Sequence, residues 1–143
     1  MTRAEHEDAL LAILRPAMPA RVRVESIPRG LDDARAPDVR DGAVWLVYAG
    51  SQPVPGEEPS SRVHAEIWIW SVFCLAKTYR SEKSGAAQAL ELLEKTIAAL
   101  DGAEIEYRAV TRLDDRLLAV PEEWKVMGYE ARFGIEVYAP RGA

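Results

Sequence analysis

Residues Arg62 to Lys77 constrain the fold more than any other stretch, because they read as one long strand that is apolar on both faces over its second half. Val63, Ala65, Ile67, Ile69, Phe73 and Leu75 fall on one side at period two, and Trp68, Trp70, Val72 and Cys74 fall on the other. A strand of this kind belongs inside a sheet with a cover on each face. The chain offers only two convincing helices, enough for one of them. The second face therefore asks for a partner subunit, and Trp68, Trp70 and Val72 are the residues expected in that subunit interface. The competing arrangement lays another segment of the same chain over Trp68 and Trp70.

A length of 143 residues fits one domain, 1–143, able to bury about 68% of its unfolded surface without staples. The single cysteine, Cys74, sits inside the apolar strand with no disulfide partner, which suits a reducing compartment and a space-filling role. No signal-peptide profile opens the chain and no apolar run reaches the length of a bilayer span, so no membrane partner is expected. The formal net charge is −5 and no run of basic residues could neutralise a row of phosphates. No specific nucleic-acid binding is expected either.

Thr2 followed by Glu5 has the spacing of a capping box, and His6, Leu10, Ile13 and Leu14 recur at helical intervals, so a first helix should run from about Arg3 to Arg15. Pro16 and Pro19 stop it. Arg21 to Ile27 alternates Val22 and Val24 with charged neighbours, as a half-buried strand does, and Ala43 to Ala49 forms a compact apolar strand. Between these strands, Arg29 to Gly42 reads as an exposed connection. Gly50 to Ser61 is rich in proline and acid and reads as a surface loop. Its Pro53, Pro55, Glu57 and Glu58 are the candidate partner-contact residues. Ser84 is placed to cap a second helix whose stripe is Ala86, Leu90, Leu93, Ile97 and Leu100. Ile105 to Leu113, where Ile105, Tyr107 and Ala109 alternate with Glu106 and Arg108, and Tyr129 to Val137 complete the pattern as two more strands. The fold class is α+β, a mostly antiparallel sheet with two helices packed on one face, in the order α-β-β-β-α-β-β.

Catalytic equipment is not legible in this sequence. His6 and His64 lack the spaced Cys, His or carboxylate partners of a metal signature, and no phosphate-binding loop or nucleophile elbow occurs. His64, Glu66 and Trp68 share a strand face, which reads more simply as a solvated sheet surface than as an acid–base pair. The acidic pairs Asp32–Asp33, Glu57–Glu58, Asp114–Asp115 and Glu122–Glu123 read as loop residues that solvent satisfies without a bound ion. No enzyme activity, cofactor or metal is expected.

The order of elements, together with "RVRVESIP", "AVWLVYAGS" before a Pro-rich loop, "GAAQALELLEKTIAAL" and the closing "DDRLLAV" and "YEARFGIEVYAP", resembles the small tail proteins of Mu-like phages and prophages that act as tail terminators. The resemblance spans nearly the whole chain and carries no catalytic residues. It implies a structural subunit of a virion tail, assembled in the bacterial host cytoplasm. Such a subunit forms a homo-oligomeric ring, commonly a hexamer, that caps the head-proximal end of the tail tube. Its partners would be its own copies, the tail tube protein and the head–tail connector. The alternative class is a small soluble enzyme or ligand-binding α+β domain with Trp68, Trp70 and His64 lining a pocket over the open sheet face.

Overall fold

The computed structural model describes residues 1–27, 40–56, 63–78 and 81–140, apart from the side chains of 63, 64, 139 and 140. Helix α1 (Arg3–Ala17) precedes strands β1 (Arg23–Ser26), β2 (Ala43–Pro53) and β3 (Val63–Lys77). Helix α2 (Glu82–Leu100) is followed by β4 (Glu104–Ile105), β5 (Arg108–Leu117), a 3₁₀ turn (Glu122–Trp124) and β6 (Val126–Pro140). The α-β-β-β-α-β-β order holds, with the two-residue β4 added as a short arm of β5. Glu57, Glu58 and His64's side chain lie outside the described residues.

Thr2 and Glu5 form the expected capping box at the start of α1. Pro16 does not end the helix. Its ring occupies the last turn, and the helix stops at Met18, whose amide bonds back to Arg15. Helix α2 starts earlier than its sequence suggests, because the Ser81 hydroxyl accepts the Ser84 amide at 3.0 Å and Ser84 is already helical. The buried stripe of α2 is rotated as well. It runs through Gly85, Ala89, Leu92, Leu93, Thr96 and Leu100, leaving Leu90 41% exposed. Gly85 sets that rotation, since a Cβ there would lie 2.9 Å from the Lys77 carbonyl oxygen.

The strand order is β1-β2-β3-β6-β5-β4, parallel only between β1 and β2. Two corrections concern the strands. Gly50 to Pro53 belong to β2, with Pro53 opposite Glu66, so the expected loop begins only at Val54. Tyr107 is not an inward strand residue: Glu106 and Tyr107 form the two-residue turn between β4 and β5, both at positive φ (49° and 65°), and Tyr107 is 97% exposed. β-Bulges interrupt β2 between Tyr48 and Gly50 and β5 between Arg112 and Asp114. Both flank the same central row, Trp70 opposite Phe133, so the sheet bends along one line.

Helices α1 and α2 cover one face of the sheet. Leu10 and Leu14 from α1 and Leu92, Leu93 and Leu100 from α2 close over Trp70, Val72 and Cys74 of β3 together with Phe133 and Ile135 of β6. The residues expected at a subunit interface are thus this chain's own core. Trp70 is 1% exposed and Val72 fully buried, because the helices settle on the even-numbered side of β3. Trp68 is buried too. His6 meets its ring edge-on at 4.7 Å, and the Arg3 guanidinium lies 4.4 Å above it. Among the described residues the face left without helices is the odd-numbered one.

Candidate interaction surface

The odd-numbered face is divided into three zones by its rows of cross-strand neighbours. At the end where β3 finishes, Ala43, Trp45, Phe73, Leu75, Trp124 and Val126 form a second, smaller core, with the indoles of Trp45 and Trp124 edge to face at 6.5 Å. Leu118 and Val120 pack on it. The punctuated segment before β6 thus supplies a partial lid where a second helical layer would otherwise sit.

A belt of charge crosses the middle. Glu130, 5% exposed, accepts a 2.7 Å hydrogen bond from the Ser71 hydroxyl and a 2.8 Å bond from Nε of Arg116. Two residues along the same pair of strands, Arg132 forks onto Asp114 through Nε and Nη2. Those bonds hold the Asp114 carboxyl below the usual carboxylate range and raise the Arg132 guanidinium correspondingly. The second pair is largely exposed and adds little to stability. Its effect is to spread alternating charge over sheet surface that would otherwise be apolar.

Beyond the belt the described residues leave a groove, although Ala65 and Ile69 on the same face are buried. Ile67, Thr111, Leu113, Gly134 and Glu136 floor an open groove of about 430 Å³ whose end is the Tyr107–Arg108 turn. Leu113 falls on this face by alternation with Thr111, the bulge at Leu113 turns Asp114 to the same side, and Gly134 gives Leu113 and Ile67 room: a Cβ on Gly134 would lie 2.9 Å from Cγ2 of Ile67 and 3.4 Å from Leu113. Leu113 stays 44% exposed. At the groove's edge the Arg108 guanidinium stacks 4.2 Å from the Tyr138 ring, whose hydroxyl donates to Glu136 at 2.9 Å. An apolar floor with an aromatic and ionic rim is the anatomy of a protein-binding patch.

The expected site residues are therefore scattered. Trp68, Trp70 and Val72 lie under the helices on the opposite face, so they cannot line a pocket on the open one. Pro53 ends β2, and Pro55 is exposed in the turn that follows. Glu66 accepts from the Trp68 indole at 2.7 Å and from Arg3 at 3.4 Å, which makes it a tether for α1. Cys74 contacts Thr96 at 3.5 Å, and burial pushes its thiol up to about 12, too high to form a useful thiolate at neutral pH. Among the described residues no group of three or more His, Cys, Asp or Glu side chains is placed to hold a metal ion. No helix among them is long and apolar enough to cross a membrane. Sequence reasoning missed Leu113, Gly134 and the Tyr107 turn. Gly134 inside an otherwise regular strand was the one available signal of close approach by a neighbour.

No family model and no curated protein matches the chain. Solved structures do. The chain is similar to one in the extracellular contractile injection system "PVC sheath/tube terminator in extended state", with 10% identity over 100% of this chain and a TM-score of 0.52. It spans 59% of that chain's length. A chain from the virion of a native gene transfer agent particle aligns at 15% identity over 90% of this chain and 86% of its own, with a TM-score of 0.48. At such identities the first likeness is one of fold.

Proposed function

We propose that this chain is a structural, non-enzymatic subunit of a phage or phage-like tail, and specifically a tail terminator. Its copies close into a ring, six-fold in the expected form, at the head-proximal end of the tail tube and dock the head–tail connector. Assembly takes place in the bacterial host cytoplasm, and the Mu-like layout of the sequence is the finer assignment within this reading. The observation that carries it is the division of the sheet: two helices cover most of one face, whereas among the described residues the other is lidded at one end and open over Ile67, Leu113 and Gly134. A two-layer domain that leaves central strands uncovered has a place for a neighbour. The fold shared with a sheath/tube terminator supplies the kind of assembly. In this reading the segment carrying Pro55, Glu57 and Glu58 remains the partner-contact element, and the interface moves from Trp68, Trp70 and Val72 to the opposite face.

A ligand-binding domain is the second reading, favoured by the groove volume, which falls in the range of small-molecule sites. One experiment separates the two. Light scattering over a concentration series at two salt concentrations should show a closed oligomer near six subunits. A strict monomer that binds a small aromatic compound would replace the ring with the ligand-binding reading.

A further inference from the structure

The chain is acidic overall, yet the structure gathers three arginines that the sequence keeps apart. Arg21 and Arg23 lead into and begin β1, and Arg40 precedes β2. With Asp41 and Gly42 they line one cavity of about 200 Å³ that is almost wholly polar. The parallel β1–β2 pairing brings them together, since Arg23 lies opposite Ala43 and its amide bonds the Gly42 carbonyl at 3.4 Å. Among the described residues none of the three guanidiniums is in an ion pair. An adjoining cavity of about 360 Å³ shares Arg21, Arg40 and Asp41 and has an apolar floor of Pro19, Val22 and Leu92. Glu91 also reaches that second cavity, but it is held by Lys95 at 3.2 Å.

We infer that this cradle receives the acidic, proline-rich segment after β2 of a second copy, with Glu57 and Glu58 on the arginines and the flanking prolines on the apolar floor. Among the described lining residues the charges match: three arginines against Asp41 leave two positive charges, and Glu57 with Glu58 supplies two negative ones. Arginine forks suit paired carboxylates better than a point charge would. The segment belongs to another molecule for a geometric reason. Cradle and segment lie at opposite ends of β2, whose eleven residues span about 33 Å. Glu57 follows Pro53 by four residues and reaches at most about 14 Å from it. It cannot return to its own cradle. Two different patches meeting at opposite ends of one strand make a head-to-tail contact, the kind that closes into rings. The inference rests on the ring reading above and names the patches that meet.

Two measurements on the full-length chain test it. A synthetic peptide of residues 51–62 should bind the protein and shift the NMR signals of Arg21, Arg23 and Arg40, and a Glu57→Gln, Glu58→Gln peptide should bind at least about fivefold more weakly. Inorganic phosphate and a short DNA duplex serve as competing probes. If either binds the arginines and the peptide does not, the cradle is a phosphate site and the inference is overturned. In the second measurement, Arg21→Glu with Arg23→Glu, and separately Glu57→Arg with Glu58→Arg, should each lower the oligomer mass, and the four changes combined should restore it. Wild-type oligomers that survive both reversals overturn this contact and leave the ring reading standing. A wild-type monomer that still binds the peptide supports the contact while removing self-assembly in isolation.

Discussion

The two faces of β3 carry similar numbers of apolar side chains and meet different fates. On the even-numbered side of β3, Trp70, Val72 and Cys74 vanish beneath two helices. On the odd-numbered side, Phe73 and Leu75 join a small core under a short lid, a buried Glu130 marks its boundary, and Ile67 with Leu113 faces the outside. Apolar content alone does not choose which side becomes core. The choice falls to shape and to how much chain is left to cover each side.

The comparison breaks first at its deepest residue. Trp70→Ala should cost about 3–5 kcal/mol in urea unfolding, because a fully buried indole leaves a cavity that the helices cannot fill. A loss below about 1 kcal/mol would mean that the helical face is not the principal core. Glu130→Ala tests the boundary. It strands the buried Ser71 hydroxyl and releases Arg116, for an expected loss of about 1–3 kcal/mol. Tyr107→Gly should act in the other direction, adding about 1 kcal/mol by removing a side chain from a left-handed backbone. The same variant should associate more weakly if the exposed ring is retained for contact, so stability and oligomer mass should move apart.

Leu113→Asp sharpens the contrast further. At a position already 44% exposed, stability should change by no more than about 0.5 kcal/mol, whereas the oligomer should fall to smaller species in light scattering. Unchanged mass would remove the open groove from the interface. The smallest effect concerns pH and is read at His6 on the helical face. Burial holds the His6 imidazole below its ordinary 6.5, so the unfolded chain takes up the proton first as pH falls. Its contribution is present above 6.5 and lost as pH falls from there toward the lower folded value. Asp8 and Glu7 share its helix, Glu5 and Glu106 favour its charged form, and the amino terminus opposes it. Urea titrations of wild type and His6→Asn should therefore diverge below pH 6.5.

Much of the fold was legible in local signals. The Thr2–Glu5 box, the periodicity of α1 and the alternation of the strands depend on neighbours a few residues away. Errors appear where distant parts of the chain decide. Period two shows that both sides of β3 are apolar but not which side receives the helices, so Trp68 and Trp70 looked available and are not. Leu90 fits a helical stripe as well as Leu92 does, until Gly85 against Lys77 fixes the rotation of α2. The candidate surface was less legible still. Leu113 meets Gly134 only through the β5–β6 register, and Arg40 joins Arg21 and Arg23 only through parallel strand pairing.

That the sheet is built around β3 and β6 also fixes when the molecule can exist. Their pairs join residues 49 to 77 positions apart, and β6 follows every other described element. During synthesis the two helices and five strands emerge while the strand that completes their sheet is still unmade, so the long loop between partners must close late. Until then the apolar sides of β3 have no β6 beside them. The interval is one of exposure to aggregation, and the open face becomes available to a neighbour only after the last long strand has arrived. Assembly is thereby ordered in time: a subunit is finished before it is joined.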